Sequence, residues 1–109
     1  MITGLAHVAF MVKDMDKALD FYCNLLGFKH VFTLKNNDGT PWLLYLKVGK
    51  DQFIELFYGA EKEAYPIERD RKGFYHFCIA TDDAKADYER IKATGYPIHI
   101  PLKKGDDHN

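Results

Sequence analysis

His7 and His76 hold equivalent places in a chain that repeats itself. Sliding the 109-residue sequence by 69 positions lays HFCIAT at 76–81 over HVAFMV at 7–12 and aligns the two histidines. Strand phase brings in a third residue. In FIELF at 53–57, Ile54 and Leu56 belong to the face that should pack on a helix, which leaves Phe53, Glu55 and Phe57 on the side of His7. A carboxylate between two phenylalanines in mid-strand is costly unless it is paired, protonated or bound to a metal. Two histidines and one carboxylate form a ligand set for a borderline divalent ion such as zinc, nickel, manganese or ferrous iron, and three protein ligands leave positions open for water or substrate. The plainer alternative is that His7 and His76 bond to backbone and that Glu55 pairs with a lysine.

These residues need strands to carry them. Residues 7–12 alternate His7, Ala9, Met11 against Val8, Phe10, Val12, the period of a strand. From Asp14 the period becomes helical through Met15, Ala18, Leu19, Tyr22, Leu25 and Leu26, with Asp14 as N-cap and Gly27 as stop. Strands are expected at 28–35, 42–48 and 53–58, separated by Asn36-Asn37-Asp38-Gly39 and Gly49-Lys50-Asp51. Residues 1–59 thus read as one βαβββ unit. The charged stretch 60–73, with Pro66 and Gly73, reads as a connection within a single domain spanning 1–109.

The second unit, 74–109, starts on the same plan. A strand is expected at 76–81 with Phe77 and Ile79 toward the helices. A helix should follow, capped at Asp82 or Asp83, striped by Ala84, Tyr88 and Ile91 and ended by Gly95. Extended structure at 96–102 comes next, where Pro97 and Pro101 favour an edge. Two more strands are then called for, and the sequence continues only as KKGDDHN. Without them, residues 76–81 would expose backbone in the middle of a sheet. The expectation is a functional protein longer by about 15–20 residues that carry a second glutamate, from usual strand dimensions, or else a strand donated by a partner.

Composition narrows the function classes. Fifteen Lys and Arg against sixteen Asp and Glu leave a net charge of −1 with no basic stripe, which argues against nucleic acid as a partner. The apolar run Trp42 to Leu46 is far short of the 18 or more residues of a membrane helix. No basic stretch precedes an apolar one at the N-terminus, so a soluble, cytoplasmic protein is expected. Cys23 and Cys78 lack any CxxC spacing and are expected as reduced, buried thiols. On the second strand Cys78 would share the His76 face, with a core position as the favoured reading. Trp42 and Tyr45 could line a cleft but are read first as core, and Arg69 and Arg71 as solvated loop charges. His30, His99 and His108 have no repeat partner and receive no role.

The segment HVAFMVKDMDKALDFYCNLLGFK at 7–29, with its strand histidine, Phe21-Tyr22, Leu25-Leu26-Gly27, the FIELF strand and the second strand histidine, resembles the vicinal oxygen chelate superfamily. That superfamily includes glyoxalase I, methylmalonyl-CoA epimerase, extradiol dioxygenases, and fosfomycin- and bleomycin-resistance proteins. The resemblance covers essentially the whole chain. It implies an α+β fold in which paired βαβββ units form a cupped mixed sheet, here with the second unit lacking its last strands, and a divalent metal in the cleft. Carried over by position, the glyoxalase I pattern makes His7, Glu55 and His76 the metal ligands, Glu55 being the one catalytic carboxylate among the residues present. The fourth ligand and base of that pattern, a glutamate in the final strand, has no counterpart here. Met11 stands where bacterial glyoxalase I proteins carry an arginine for glutathione. Met11, Phe53, Phe57 and Cys78 would line the substrate cleft. The resemblance also implies a small-molecule substrate and a homodimer. Three activities follow in order: a metal-dependent lyase or isomerase, a metal-free binding protein of the bleomycin-resistance kind, and a ferrous dioxygenase.

Overall fold

The computed structural model describes residues 1–63, 70 and 72–102. The chain divides into two units, Met1–Tyr65 and Pro66–Asn109.

The first unit is the βαβββ unit. β1 runs His7–Met11, α1 Met15–Leu19, β2 Lys29–Lys35, β3 Pro41–Gly49 and β4 Gln52–Phe57. The sheet order is β1-β4-β3-β2. β2, β3 and β4 form an antiparallel meander, and β1 joins β4 in parallel, with Ala9 opposite Glu55. A parallel neighbour needs a long crossover, and the helix with the first two strands of the meander supplies it.

The helix begins as expected, with the Asp14 side chain accepting from the Lys17 amide at 3.1 Å. It does not continue as a plain α-helix. Residues Asp20–Leu25 are wound as a π-helix, with the Leu26 amide donating to the Phe21 carbonyl. Gly27, at φ +83°, ends it. The wide turn holds Tyr22, whose ring stacks on both Phe10 and Phe28. Below lies the core of Met15, Phe28, Leu44, Leu46, Ile54 and Leu56, in which Leu46 and Leu56 are fully buried. Each such leucine stabilises the fold by about 1.5–3 kcal/mol relative to exposure.

One residue out of phase keeps this core together. β3 and β4 join through Lys50 and Asp51, with Gly49 opposite Gln52. Continued without interruption, that register would set Leu46 against Glu55 and mix the two faces of the sheet. A bulge between Lys47 and Gly49 absorbs one residue, so that Leu46 meets Ile54 and Tyr45 meets Glu55.

The second unit differs from expectation. Its helix, α2 (Ala84–Ala93), forms with Asp83 as N-cap, the side chain accepting from the Ala86 amide at 3.0 Å, and Gly95 follows at φ +81°. Residues 76–81 are not a strand, nor are 96–102. A strand exists only as part of a ladder, and all four strands among the described residues belong to the first unit. Phe77 and Ile79, expected against the helices, are exposed, and so is Cys78, expected in the core. Cys23 is half-buried rather than buried. Arg69, Arg71 and His108 lie outside the described residues.

Candidate functional site

The face of the first-unit sheet opposite the core carries an ionisable centre. Glu55 is held in mid-strand on β4 and is only 6% exposed, although its neighbours Ile54 and Leu56 point into the core. His7, at the start of β1, brings Nε2 to 3.1 Å from Glu55 Oε2. Across the ladder on the other side, Tyr45 of β3 is the direct partner of Glu55. Glu55 as a hydrogen-bonding neighbour, then burial and the Glu55 charge, push the Tyr45 phenol above its usual range. Glu55 is therefore paired with a histidine, not with the lysine of the plainer sequence reading.

Aromatic rings surround the pair. The Tyr45 ring stacks on Phe32 of β2 at 4.4 Å and stands edge-on to His7 at 6.3 Å and to Phe53 at 6.1 Å. Phe57 receives the exposed Trp42 edge-on at 5.8 Å, so Trp42 is not the core residue it was expected to be. Met11, opposite Phe57 in the ladder, is largely exposed at the end of β1.

Of the residues singled out by sequence, the structure brings together His7, Glu55, Phe53 and Phe57 on one face. His76 and Cys78 belong to the second unit, where both are exposed. Among the described residues, no group of three or more His, Cys, Asp or Glu side chains is assembled that could hold a metal ion. Tyr45 was discounted as core and Phe32 was not considered. The sequence held no signal for the pairing of Tyr45 with Glu55, since the turn register that sets Gly49 opposite Gln52 would, without the bulge, put Tyr45 opposite Leu56.

The sequence and fold have relatives. A probable lactoylglutathione lyase of Vibrio parahaemolyticus is 29% identical over 95% of this chain and 78% of its own length. The crystal structure of SMU.1112c superposes with a TM-score of 0.73 at 28% identity, covering 87% of this chain and 77% of that one. The fosfomycin resistance protein FosX from Listeria monocytogenes shares the fold, with a TM-score of 0.56 at 21% identity over 87% of this chain and 72% of its own. With the family model matched over residues 4–109, nearly the entire sequence, the chain belongs to the Glyoxalase/Bleomycin resistance protein/Dioxygenase superfamily.

Proposed function

We propose that this chain is a metal-dependent lyase or isomerase of glyoxalase type, moving a proton next to a carbonyl of a small substrate. The observation that carries the reading is the His7–Glu55 pair. Two ligands of one ion at about 2.0–2.2 Å stand about 3–3.5 Å apart at right-angled to tetrahedral geometry, and Nε2 and Oε2 are 3.1 Å apart. The donor set fits a divalent ion. His7 and Glu55 would hold it; the family resemblance names His76 as the third ligand, a role the His76→Ala variant tests.

When bound, a nickel, zinc, manganese or ferrous ion supplies Lewis acidity to a substrate oxygen. The chain's own residues do the rest. The β4 backbone fixes Glu55 on the open face, and a Glu55 oxygen is the acceptor there for a proton from the carbon beside the carbonyl. Phe53, Phe57 and Tyr45 give the substrate an apolar surround. Substrates of this kind include thiohemiacetals and α-hydroxycarbonyl compounds, and the lyase named among the relatives supports that class. Met11 is apolar and offers no charge to a glutathione carboxylate.

The aromatic rings on this face favour one second reading, a metal-free cleft that binds an aromatic ligand, with His7 and Glu55 as a simple ion pair. We further propose a homodimer, because exposed sheet edges invite pairing with another chain, and a cytoplasmic location. No described helix is long and apolar enough to cross a membrane.

Metal analysis of protein purified without chelator decides between the readings. A stoichiometric divalent ion, lost in His7→Ala and His76→Ala, supports the enzyme. Iron with oxygen consumption on a catechol would move it to the dioxygenases. Absence of any ion after loading with nickel, zinc, manganese and ferrous salts, with an aromatic ligand still bound, would leave the binding protein. Sedimentation as a monomer at micromolar concentration would overturn the dimer.

A further inference from the structure

The open face of the first-unit sheet changes character from one end to the other, and the cross-strand register sets out the change in rows. Leu34, Leu43, Phe57 and Met11 form one row, and Lys29, Lys47, Phe53 and His7 form the opposite one. Between them runs the row of Phe32, Tyr45, Glu55 and Ala9. Leu43 is buried on this side of the sheet, apart from the core cluster, and gives the Met11 end an apolar floor. The other end carries two cations. Lys29 follows Phe28 of the core, and Lys47 lies between Leu46 and Val48, which both pack on the core, so alternation turns both exposed lysines to the open face. Like charges directly opposite each other destabilise a strand pair. A lysine on the edge strand β2 guards against pairing with other chains, but β3 is an interior strand, and that reason does not reach Lys47. Among the described residues, neither lysine has a carboxylate partner.

We infer that Lys29 and Lys47 determine specificity: together they take an anionic group, a carboxylate or a phosphate, on the non-reacting end of a substrate whose apolar body lies across Tyr45 toward Phe57. The inference deepens the lyase reading and rests on it for turnover, while anion binding at the two lysines is a property of the chain alone. Neighbouring strands lie about 4.7–4.9 Å apart, so Lys47, two strands from His7, stands about 10 Å away. A spacer of several bonds thus separates the anion from the reacting carbon. Each ammonium is a compact charge on a flexible stem, and an anion between the two turns their mutual repulsion into attraction to a shared partner. The Met11 row offers no charge, which sets one direction for the substrate along the face.

The test has two arms, both on the full chain. In the first, the probes are 8-anilinonaphthalene-1-sulfonate and N-phenyl-1-naphthylamine, which share their rings and differ by the sulfonate. Fluorescence titration compares the wild type with the double variant Lys29→Gln, Lys47→Gln. At low salt the sulfonate dye should bind the variant about 10-fold more weakly or worse, from about 5-fold per ammonium lost at contact distance in water. The neutral dye should bind both proteins alike, and added salt should shrink the difference. Equal affinity of the sulfonate dye for both proteins would overturn the inference, as would an equal loss with the neutral dye, which marks altered packing alone. Displacement of the sulfonate dye by 3-phenylpropionate or by phenyl phosphate assigns the anion as carboxylate or phosphate, and displacement by neither overturns the proposal. The second arm offers nickel-loaded protein the hemithioacetals of phenylglyoxal with 3-mercaptopropionate and with 2-mercaptoethanol. The wild type should favour the anionic adduct by about 10-fold in kcat/KM, and the variant should lose that preference through KM. Turnover of both without preference would overturn the role in specificity. Turnover of neither would defeat the lyase reading, and the dye arm would still decide the role of the lysines.

Discussion

Residues 7–27 and 76–95 carry the same local instructions and meet different fates. Each starts with a histidine and alternating apolar residues, then an aspartate and a helical stripe, then a glycine. Both helices form, with Asp14 and Asp83 accepting from the amides three residues on and with Gly27 and Gly95 at positive φ. Only the first histidine segment is a strand. β4 lies beside it, with the Phe53 amide donating to the Ala6 carbonyl and the Val12 amide to the Phe57 carbonyl. A helix satisfies its backbone from within and needs only its caps, whereas a strand is completed by another segment. Sequence repetition therefore transmits helices faithfully and strands conditionally.

The largest expected contrast between the units is in packing. Leu56→Ala should destabilise the first unit by about 2–5 kcal/mol, because the residue is fully buried. Ile79→Ala, at an exposed site, should stay within about 0.5 kcal/mol. Urea unfolding followed by fluorescence of Trp42, the single tryptophan, reads the first unit, and hydrogen exchange reads the second. A large cost at Ile79 would mean that the histidine segment of the second unit is packed after all.

The two histidines should differ next. His7→Ala leaves the buried Glu55 carboxylate without one partner and should cost about 1–3 kcal/mol. His76→Ala should leave stability unchanged, so any loss of metal affinity it causes would isolate a ligand role from a structural one. Equal destabilisation by both would break the comparison.

The caps should be alike. Asp14→Ala and Asp83→Ala each remove one side-chain acceptor from a first-turn amide, at about 1 kcal/mol apiece. Faster amide exchange at Lys17 and Ala86 respectively checks this, and a cost at one helix alone would deny that the ends are locally determined.

The smallest effect is confined to the β2–β3 turn of the first unit. The Thr40 hydroxyl and amide both donate to Asp38, holding its carboxyl below the ordinary value of 3.8. A depressed carboxyl contributes stability that is present above the unfolded value and is lost as pH falls through the folded one. Acid titration of Asp38→Asn should accordingly show a shallower loss of stability below pH 3.8 than the wild type. An identical acid limb would remove the turn from the list of local stabilisers.

Most of the first unit was legible because its signals are local. Alternation at 7–12 and 53–57, helical spacing after Asp14, and turn residues at 36–39 and 49–51 mark every element in the order observed. Alternation also put His7 and Glu55 on one face before any contact was known. The change to π winding after Leu19 carried no such mark, since Asp20 to Leu25 keep a helical pattern and the widening follows from packing Tyr22 between Phe10 and Phe28.

By itself, then, the sequence determined the elements of the first unit, both helix ends, the face on which Glu55 lies and the superfamily. Tertiary structure alone decided two things. It decided that 76–81 carries a strand's pattern without being one, because hydrogen-bonded pairing is a property of two segments. It also decided that Tyr45 stands opposite Glu55, because a bulge of one residue at the β3–β4 hairpin resets the register, and period 2 along a single strand contains no information about its partner's phase.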